Sequence, residues 1–273
     1  MSRSLYLFVT SARPDQYVNA VTHCVTTMTI DQVVFIHVSA VQGAAAGEEA
    51  DMSAVVNRNV TILLDHLANG QYRYFGGDRD GSVIDLAQHY GPEDFVSLKK
   101  LYQSCLNRKV NWSHRQVAYS SLRRELSRIR STEPQSLYDV TAVSKSLLGD
   151  IVALSILGGI RDLYTFDLRI QPTFDEPWRM LLHDLADAAS IPAKYVYVNI
   201  VDTPAFREAS RSILIRTPPL VISLSLAVAL LGVTLAVYYV HGMVNAFIQI
   251  TLIASAVSSL LALFLNIFPP RRS

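Results

Sequence analysis

Charged residues are missing from the C-terminal part of this chain. None of the residues between Arg216 and Arg271 is Asp, Glu, Lys or Arg. A soluble domain rarely leaves about 50 consecutive residues uncharged, because charged side chains normally cover its surface. This absence argues against an ordinary soluble fold for the segment. The alternative is a pair of helices buried within a large soluble core.

The uncharged segment divides into two apolar halves. Leu220 to Val240 and Asn245 to Phe268 are joined by residues 241–244. Each half has roughly the 20 residues that an α-helix needs to cross a bilayer. A helix satisfies its own backbone hydrogen bonds, so it is the usual form of an apolar segment in lipid. The sequence therefore predicts a two-helix transmembrane hairpin over residues 220–268.

Positive charges lie outside the predicted hairpin at both ends. They are Arg207, Arg211 and Arg216 before it, and Arg271 and Arg272 after it. The positive-inside rule places such ends in the cytoplasm. We therefore expect a multi-pass protein of the inner (plasma) membrane with both termini cytoplasmic. The predicted layout is a cytoplasmic sensor domain (1–206), a basic linker (207–219), the hairpin (220–268) and a basic tail (269–273).

Small and polar side chains in the second predicted helix favour helix association. Ser255 and Ser259 form a small-xxx-small pattern that lets helix backbones approach closely. The amide of Gln249 would lie in hydrocarbon, where such a group usually finds a partner helix or water. We expect the hairpins to self-associate in the lipid bilayer, giving a homo-oligomer. Packing within a single hairpin needs the same small face and is the alternative.

Cysteine and catalytic motifs are also scarce. Cys24 and Cys105 lie far apart, which suits a reducing compartment. The seven histidines show no metal-ligand spacing, and the chain has neither a Gly-x-Ser-x-Gly elbow nor a Walker loop. A net charge of +1 indicates no bulk binding to nucleic acid. We therefore expect no catalytic residues, no metal and no cofactor, and a protein that is not an enzyme.

The N-terminal region alternates β-branched and aromatic runs with helical patterns. Strands are predicted over residues 5–9, 33–38, 72–75, 136–140, 163–168 and 195–201. Helices are predicted behind Pro14, over 48–67, as one or two helices within 92–130, over 143–157 and over 177–188. Such alternation indicates an open sheet with right-handed crossovers. The predicted fold class is α/β, a Rossmann-like and mainly parallel open sheet followed by the transmembrane hairpin.

Two loops carry hydroxyl and charged side chains directly after predicted strands. In open α/β sheets, ligands bind at the carboxyl ends of the strands, where helix N-termini favour anions. The residues concerned are Thr10, Ser11 and Arg13 after the first strand, and Asp139, Thr141, Ser144 and Lys145 after the strand at 136–140. Together they predict a phosphate-binding site. Ordinary capping is the alternative, with Thr141 or Ser144 as N-cap and Asp139 in an Asx-turn.

The segment from Ser136 to Leu168, SLYDVTAVSKSLLGDIVALSILGGIRDLYTFDL, resembles the strand, Asp-x-Thr, Lys, helix, strand unit of CARF and SAVED sensor domains. The resemblance implies a Rossmann-like module that binds a cyclic nucleotide or oligonucleotide in bacterial antiviral signalling. It implies ligand contacts in both loops, by Thr10, Ser11, Arg13, Asp139, Thr141 and Lys145. The chain departs from the family at residues 142–144, where Ala-Val-Ser replaces the common Gly-Gly-Thr. These bulkier residues let less backbone approach a phosphate.

A sensor domain fused to a membrane hairpin is also a known arrangement among such defence effectors. The resemblance implies that a ligand made after phage infection rearranges the hairpins and disrupts the inner membrane, as in abortive infection. One alternative is a membrane toxin of the retron or toxin–antitoxin type, held inactive by a protein or nucleic-acid partner. Another is an adaptor or enzyme for which the hairpin is only a tether.

Overall fold

A computed structural model describes residues 3–39, 51–171, 173, 175–186 and 192–214. The predicted hairpin, including Gln249, Ser255 and Ser259, lies outside the described residues, as does the basic tail. Within the described ranges, no helix combines the length and the apolar character needed to cross a membrane. The chain divides into two compact units, Met1–Asp202 and Thr203–Ser273.

The first unit contains eight strands and six helices among its described residues. The strands are β1 (Ser4–Val9), β2 (Gln32–Ser39), β3 (Gln71–Arg73), β4 (Val83–Asp85), β5 (Asn111–Ala118), β6 (Leu137–Asp139), β7 (Leu163–Leu168) and β8 (Tyr195–Asn199). The helices are α1 (Asp15–Thr27), α2 (Met52–Ala68), α3 (Pro92–Asn107), α4 (Leu122–Thr132), α5 (Lys145–Gly158) and α6 (Leu182–Leu185). The described part of the second unit holds α7 (Pro204–Leu214).

Six strands form one sheet in the order β5-β2-β1-β6-β7-β8. The strands are parallel except β8, which runs antiparallel to β7. The chain leaves β1 towards β2 and β5, and returns on the other side of β1 as β6. The strand order therefore reverses between β1 and β6, which is where such sheets bind ligands. The predicted Rossmann-like, mainly parallel α/β sheet is confirmed.

The sheet is buried on both faces by helices. Leu5, Leu7 and Val9 of β1 belong to one core cluster, which also contains apolar side chains of α1, α2 and α3. Tyr6 and Phe8 belong to a second cluster, with apolar side chains of α4 and α5. A strand that is covered on both faces has a continuous apolar sequence. This explains why β1 and β2 could be predicted from the sequence.

The prediction that residues 92–130 are only helical was wrong, because β5 lies between α3 and α4. β5 has the sequence NWSHRQVA and is the edge strand beside β2. Of its eight residues only Val117 is buried. An edge strand that is only partly buried has little need of apolar alternation, so its sequence pattern resembles that of the polar helices around it.

Two further segments differ from the prediction. The strand predicted at 72–75 forms as β3, but it pairs antiparallel with β4 in a separate two-stranded hairpin. The helix predicted over 177–188 is reduced to a 3₁₀ turn at Pro177–Met180 and the single turn of α6, and residues 187–188 lie outside the described residues. Leu181 separates the two turns with an extended backbone, at φ −90° and ψ 162°.

Candidate functional site

The loop after β1 is held against its own helix. Tyr17 of α1 is fully buried, and its hydroxyl accepts the backbone N–H groups of Thr10 and Ser11, both at 3.1 Å. The same hydroxyl donates to the carbonyl of Ser11 at 3.0 Å. These two N–H groups are therefore engaged within the protein. The side chains of Thr10, Ser11 and Arg13, rather than the loop backbone, are the groups that a ligand would meet.

The loop after β6 is an Asx-turn, the alternative weighed from the sequence. Asp139 is 1% exposed, and its carboxylate accepts the Thr141 N–H at 3.0 Å and the Thr141 hydroxyl at 2.9 Å. The hydroxyl of Tyr197 on β8 donates to the same carboxylate at 2.9 Å. The Thr141 hydroxyl in turn accepts the N–H of Phe166 on β7 at 2.8 Å. Asp139 and Thr141 thus join the loop to two neighbouring strands.

Burial determines the acidity of Asp139. Desolvation raises the pKa of this carboxyl to about 6, although hydrogen bonds from Thr141 and Tyr197 act in the opposite direction. The group is inside the protein, behind the loop rather than on the surface of a cavity. Its observed contacts position the loop.

The two loops meet at the carboxyl edge of the sheet, where Thr10 Oγ1 donates to the carbonyl of Ala142. A cavity of about 830 Å³ opens there, at the point where the strand order reverses. Five of the seven predicted residues line it: Thr10, Ser11, Arg13, Thr141 and Ser144. Asp139 is not among the lining residues. Lys145 is not either, and lies exposed as the first residue of α5, next to Ser144.

The aromatic wall of the cavity was not predicted from the sequence. The β3–β4 hairpin contributes Tyr74 and Phe75, and the end of β7 contributes Phe166 and Leu168. Tyr74 packs edge-on against the buried Tyr72, with ring centroids 5.2 Å apart. The aromatic residues before the turn at 76–82 were the available signal. Their role depends on the hairpin folding over the end of the sheet, which local pattern does not reveal.

The two helices that begin at the cavity differ in charge. Asp15 opens α1 and lines the cavity, and its Oδ1 accepts the hydroxyl of Tyr72 at 2.5 Å. Burial raises the pKa of this carboxyl, while the Tyr72 hydrogen bond lowers it. An anion at the start of α1 would approach this acidic group. The N-terminus of α1 is therefore the less suitable of the two for binding a phosphate.

The N-terminus of α5 carries no acidic residue in its first turn. Ser144 is the N-cap residue, but its side chain accepts no capping hydrogen bond. Its hydroxyl lies 3.3 Å from that of Ser146 instead. The first N–H groups of α5 and the positive end of the helix dipole are thus open to an anion, with Lys145 beside them.

The fold and the cavity define the class of protein: a Rossmann-like α/β domain with a ligand-sized cavity at its switch point. No family model and no curated protein matches the chain. Among solved structures, the chain is distantly similar to "Enterococcus italicus Csm6 bound to cyclic hexa-2'-fluoro-hexa-dAMP", with 11% identity and a TM-score of 0.39. The match covers 97% of this chain and 56% of the Csm6 chain, so this chain spans just over half of that length.

Proposed function

We propose that this protein is a membrane-anchored effector of prokaryotic antiphage defence that senses a cyclic nucleotide or oligonucleotide. The observation that carries the proposal is the cavity between the ends of β1 and β6, where the two loops predicted from the sequence meet. The sequence resemblance to CARF and SAVED domains assigns the ligand to the same two loops. Neither a catalytic residue nor a cofactor is part of the proposal.

The chemistry of the cavity suits a nucleotide. A volume of about 830 Å³ lies within the usual range of about 300–1,000 Å³ for small-molecule sites. The α5 side offers a helix N-terminus and hydroxyl groups, which favour phosphate. The β3–β4 hairpin and the end of β7 offer Tyr74, Phe75 and Phe166, and stacking of a base on such rings contributes about 1–3 kcal/mol. The lining thus offers groups for both a phosphate and a planar base.

Ligand binding would act on the protein through a shift in population. In the proposed mechanism, phosphate binds at the start of α5 near Ser144 and Lys145, and the occupied sensor domains associate. Moving an equilibrium from 1:99 to 99:1 requires a preference of about 5.5 kcal/mol for the active state. Hydrogen bonds to charged groups contribute about 1.5–3 kcal/mol each, so two to four phosphate contacts made only in that state are sufficient.

The membrane part of the proposal rests on the sequence. The uncharged residues 220–268 form the hairpin, and the flanking arginines keep both ends on the cytoplasmic side of the inner membrane. Association of sensor domains would gather these hairpins into a homo-oligomer that disrupts the bilayer. Replacing the hairpin with an unrelated one tests this step. A tether tolerates the exchange, whereas an effector loses toxicity while the sensor keeps its ligand.

The ligand itself is tested by titration calorimetry of the full-length chain with a panel of cyclic mono-, di- and oligonucleotides. We expect one ligand to bind, and Lys145→Ala to weaken its binding by about 10-fold, because the variant lacks the cation next to Ser144 at the start of α5. Arg123→Ala is the matched control, since Arg123 is an exposed cation on α4 and is not among the residues that line the cavity. Absence of binding by every member of the panel would contradict the sensing role.

A further inference from the structure

A second cavity of about 420 Å³ adjoins the first. Its walls come from α2, the loop after β1 and the β3–β4 hairpin, and three arginines line it: Arg13, Arg58 and Arg73. Arg13 also lines the larger cavity, as do Phe75 and Gly76. The two cavities are therefore neighbours that share a wall. Nothing in the sequence pattern singled out Arg58 or Arg73.

Positive charge dominates this arginine cavity. Asp80 is the single acidic residue of the described lining, and its Oδ1 already accepts the Gly76 N–H at 2.9 Å within the hairpin turn. None of the three arginines forms an ion pair with another residue that the structure describes. Three guanidinium groups thus face one carboxylate, which leaves a local formal charge of +2. A concave surface with such an excess attracts anions.

The cavity is also built with some rigidity. The Arg73 guanidinium lies 5.6 Å from the centroid of the Phe75 ring, a cation–π contact that restricts it. Asn59 Nδ2 donates to the carbonyl of Ala12 at 3.0 Å, which ties α2 to the loop after β1. The guanidinium and the loop that carries Arg13 are thus both held before any ligand arrives.

One donor of Arg73 lacks a partner. The Nε atom of Arg73 is buried and has no hydrogen-bond acceptor among the described residues. A buried donor without an acceptor is unfavourable, and more so on a charged group. The N–H groups of a guanidinium are spaced to bind two oxygens of one phosphate. Because the Nε atom is buried, the terminal N–H groups of Arg73 are the ones that a phosphate in the cavity would meet.

We propose that the arginine cavity is a phosphoryl-binding subsite formed by Arg13, Arg58 and Arg73. It takes a tetrahedral dianion, either inorganic phosphate or the terminal phosphate of a nucleotide whose remainder lies in the larger cavity. The shared wall at Phe75 and Gly76 allows one molecule to occupy both cavities. The subsite follows from the charge and packing of these residues, so it does not depend on the signalling role proposed above.

The test is calorimetry of the full-length chain with inorganic phosphate, with adenosine 5′-monophosphate and with adenosine, all at constant chloride. Arg58→Gln removes one cation from an exposed position on α2, where glutamine has a similar helix propensity, so folding is preserved. Arg73→Lys keeps the charge but loses the two-pronged donor. The control is Arg123→Gln on α4. We expect about 10- to 100-fold weaker binding of phosphate or of the monophosphate in the first two variants, and no change in the control.

The outcomes separate the two sources of phosphate. If inorganic phosphate binds and loses affinity in Arg58→Gln, the subsite takes the free anion. The subsite takes the phosphate of a nucleotide if inorganic phosphate does not bind, the monophosphate binds more tightly than adenosine, and Arg58→Gln removes this difference in affinity. Equal binding of all three probes, or equal affinities of Arg58→Gln and Arg123→Gln, overturns the proposal. Cyclic-nucleotide binding at α5 is tested with substitutions at positions 144 and 145, so either proposal can fail alone.

Discussion

Ser144 offers a substitution that separates helix stability from ligand charge. It is the N-cap of α5 and lines the larger cavity, yet its side chain makes no capping hydrogen bond. Aspartate and asparagine are both good N-caps, so Ser144→Asp and Ser144→Asn should each keep α5 intact or stabilise it by about 0.5–1 kcal/mol. Only the aspartate adds a negative charge at the place where the ligand phosphate is proposed to bind.

The magnitude follows from Coulomb's law. For a phosphate about 6 Å from the new carboxylate, an effective dielectric constant of about 20 gives a repulsion of about 2.8 kcal/mol, which is about 100-fold in affinity. The Ser144→Asn variant should stay within about 3-fold of the wild type, since it adds no charge. Raising the salt concentration to about 1 M, where the screening length is about 3 Å, should reduce the difference.

The assay is calorimetric titration with the cyclic nucleotide that binds the wild type, together with thermal unfolding of all three proteins. Unfolding temperatures at or above that of the wild type show that α5 is intact. The reasoning is refuted if Ser144→Asp and Ser144→Asn bind the ligand equally well while both are folded. In that case the phosphate does not bind at the start of α5.

Three further predictions concern stability and are checked by urea unfolding. Burial raises the pKa of Asp139 from 3.8 to about 6. Between these pH values the native state holds a proton that the unfolded state has lost, so the free energy of unfolding falls as pH rises from about 4 to about 6. The wild type should lose about 2 kcal/mol over this range relative to Asp139→Asn, and a pH-independent difference contradicts the assignment. Tyr17→Phe removes the hydroxyl that binds the loop after β1 and should lower the free energy of unfolding by about 1–3 kcal/mol. The control is Tyr119→Phe, at a residue that is 49% exposed, which should lower it by less than about 0.5 kcal/mol. Equal effects of the two substitutions would show that the loop contacts contribute nothing. Gly159→Ala should destabilise the protein by about 1 kcal/mol, because Gly159 has φ +63° and an added Cβ would lie 2.8 Å from the Arg130 guanidinium. Gly149→Ala, inside α5 with open space around it, should stabilise the protein by a similar amount. The opposite order of stabilities would contradict a left-handed cap at Gly159.

The parts of the fold that were predictable are those in which local pattern and burial agree. β1 and β2 are buried on both faces, so they read as uninterrupted apolar runs. The loops that follow β1 and β6 were evident because hydroxyl and charged residues interrupt these runs. β5 was missed because an edge strand that is only partly buried needs no continuous apolar face. The hairpin of β3 and β4 was missed as a separate element because its partner strand is only three residues long.

The candidate site also has a part that was predictable from the sequence and a part that was not. Five of seven predicted residues line the cavity, because carboxyl ends of neighbouring parallel strands must lie at one edge. The sequence predicted that Asp139 contacts the ligand. In the structure its carboxylate instead accepts hydrogen bonds from the hydroxyls of Thr141 and Tyr197, and these bonds hold the loop in place. The aromatic wall joins the hairpin to β7, and the arginine cavity joins the hairpin to α2 and the loop after β1. No local signal relates those segments.

By itself, the sequence determined the class of the sheet, the two loops at its edge and the prediction of a membrane hairpin over residues 220–268. These follow from periodicity, strand ends and absence of charge, which are properties of neighbouring residues. Only the tertiary structure decided what lies beside the loops: the aromatic rings of the hairpin, the acidic start of α1, and Arg58 and Arg73 in the second cavity. Such contacts join residues far apart in the chain, and packing of the whole domain selects them.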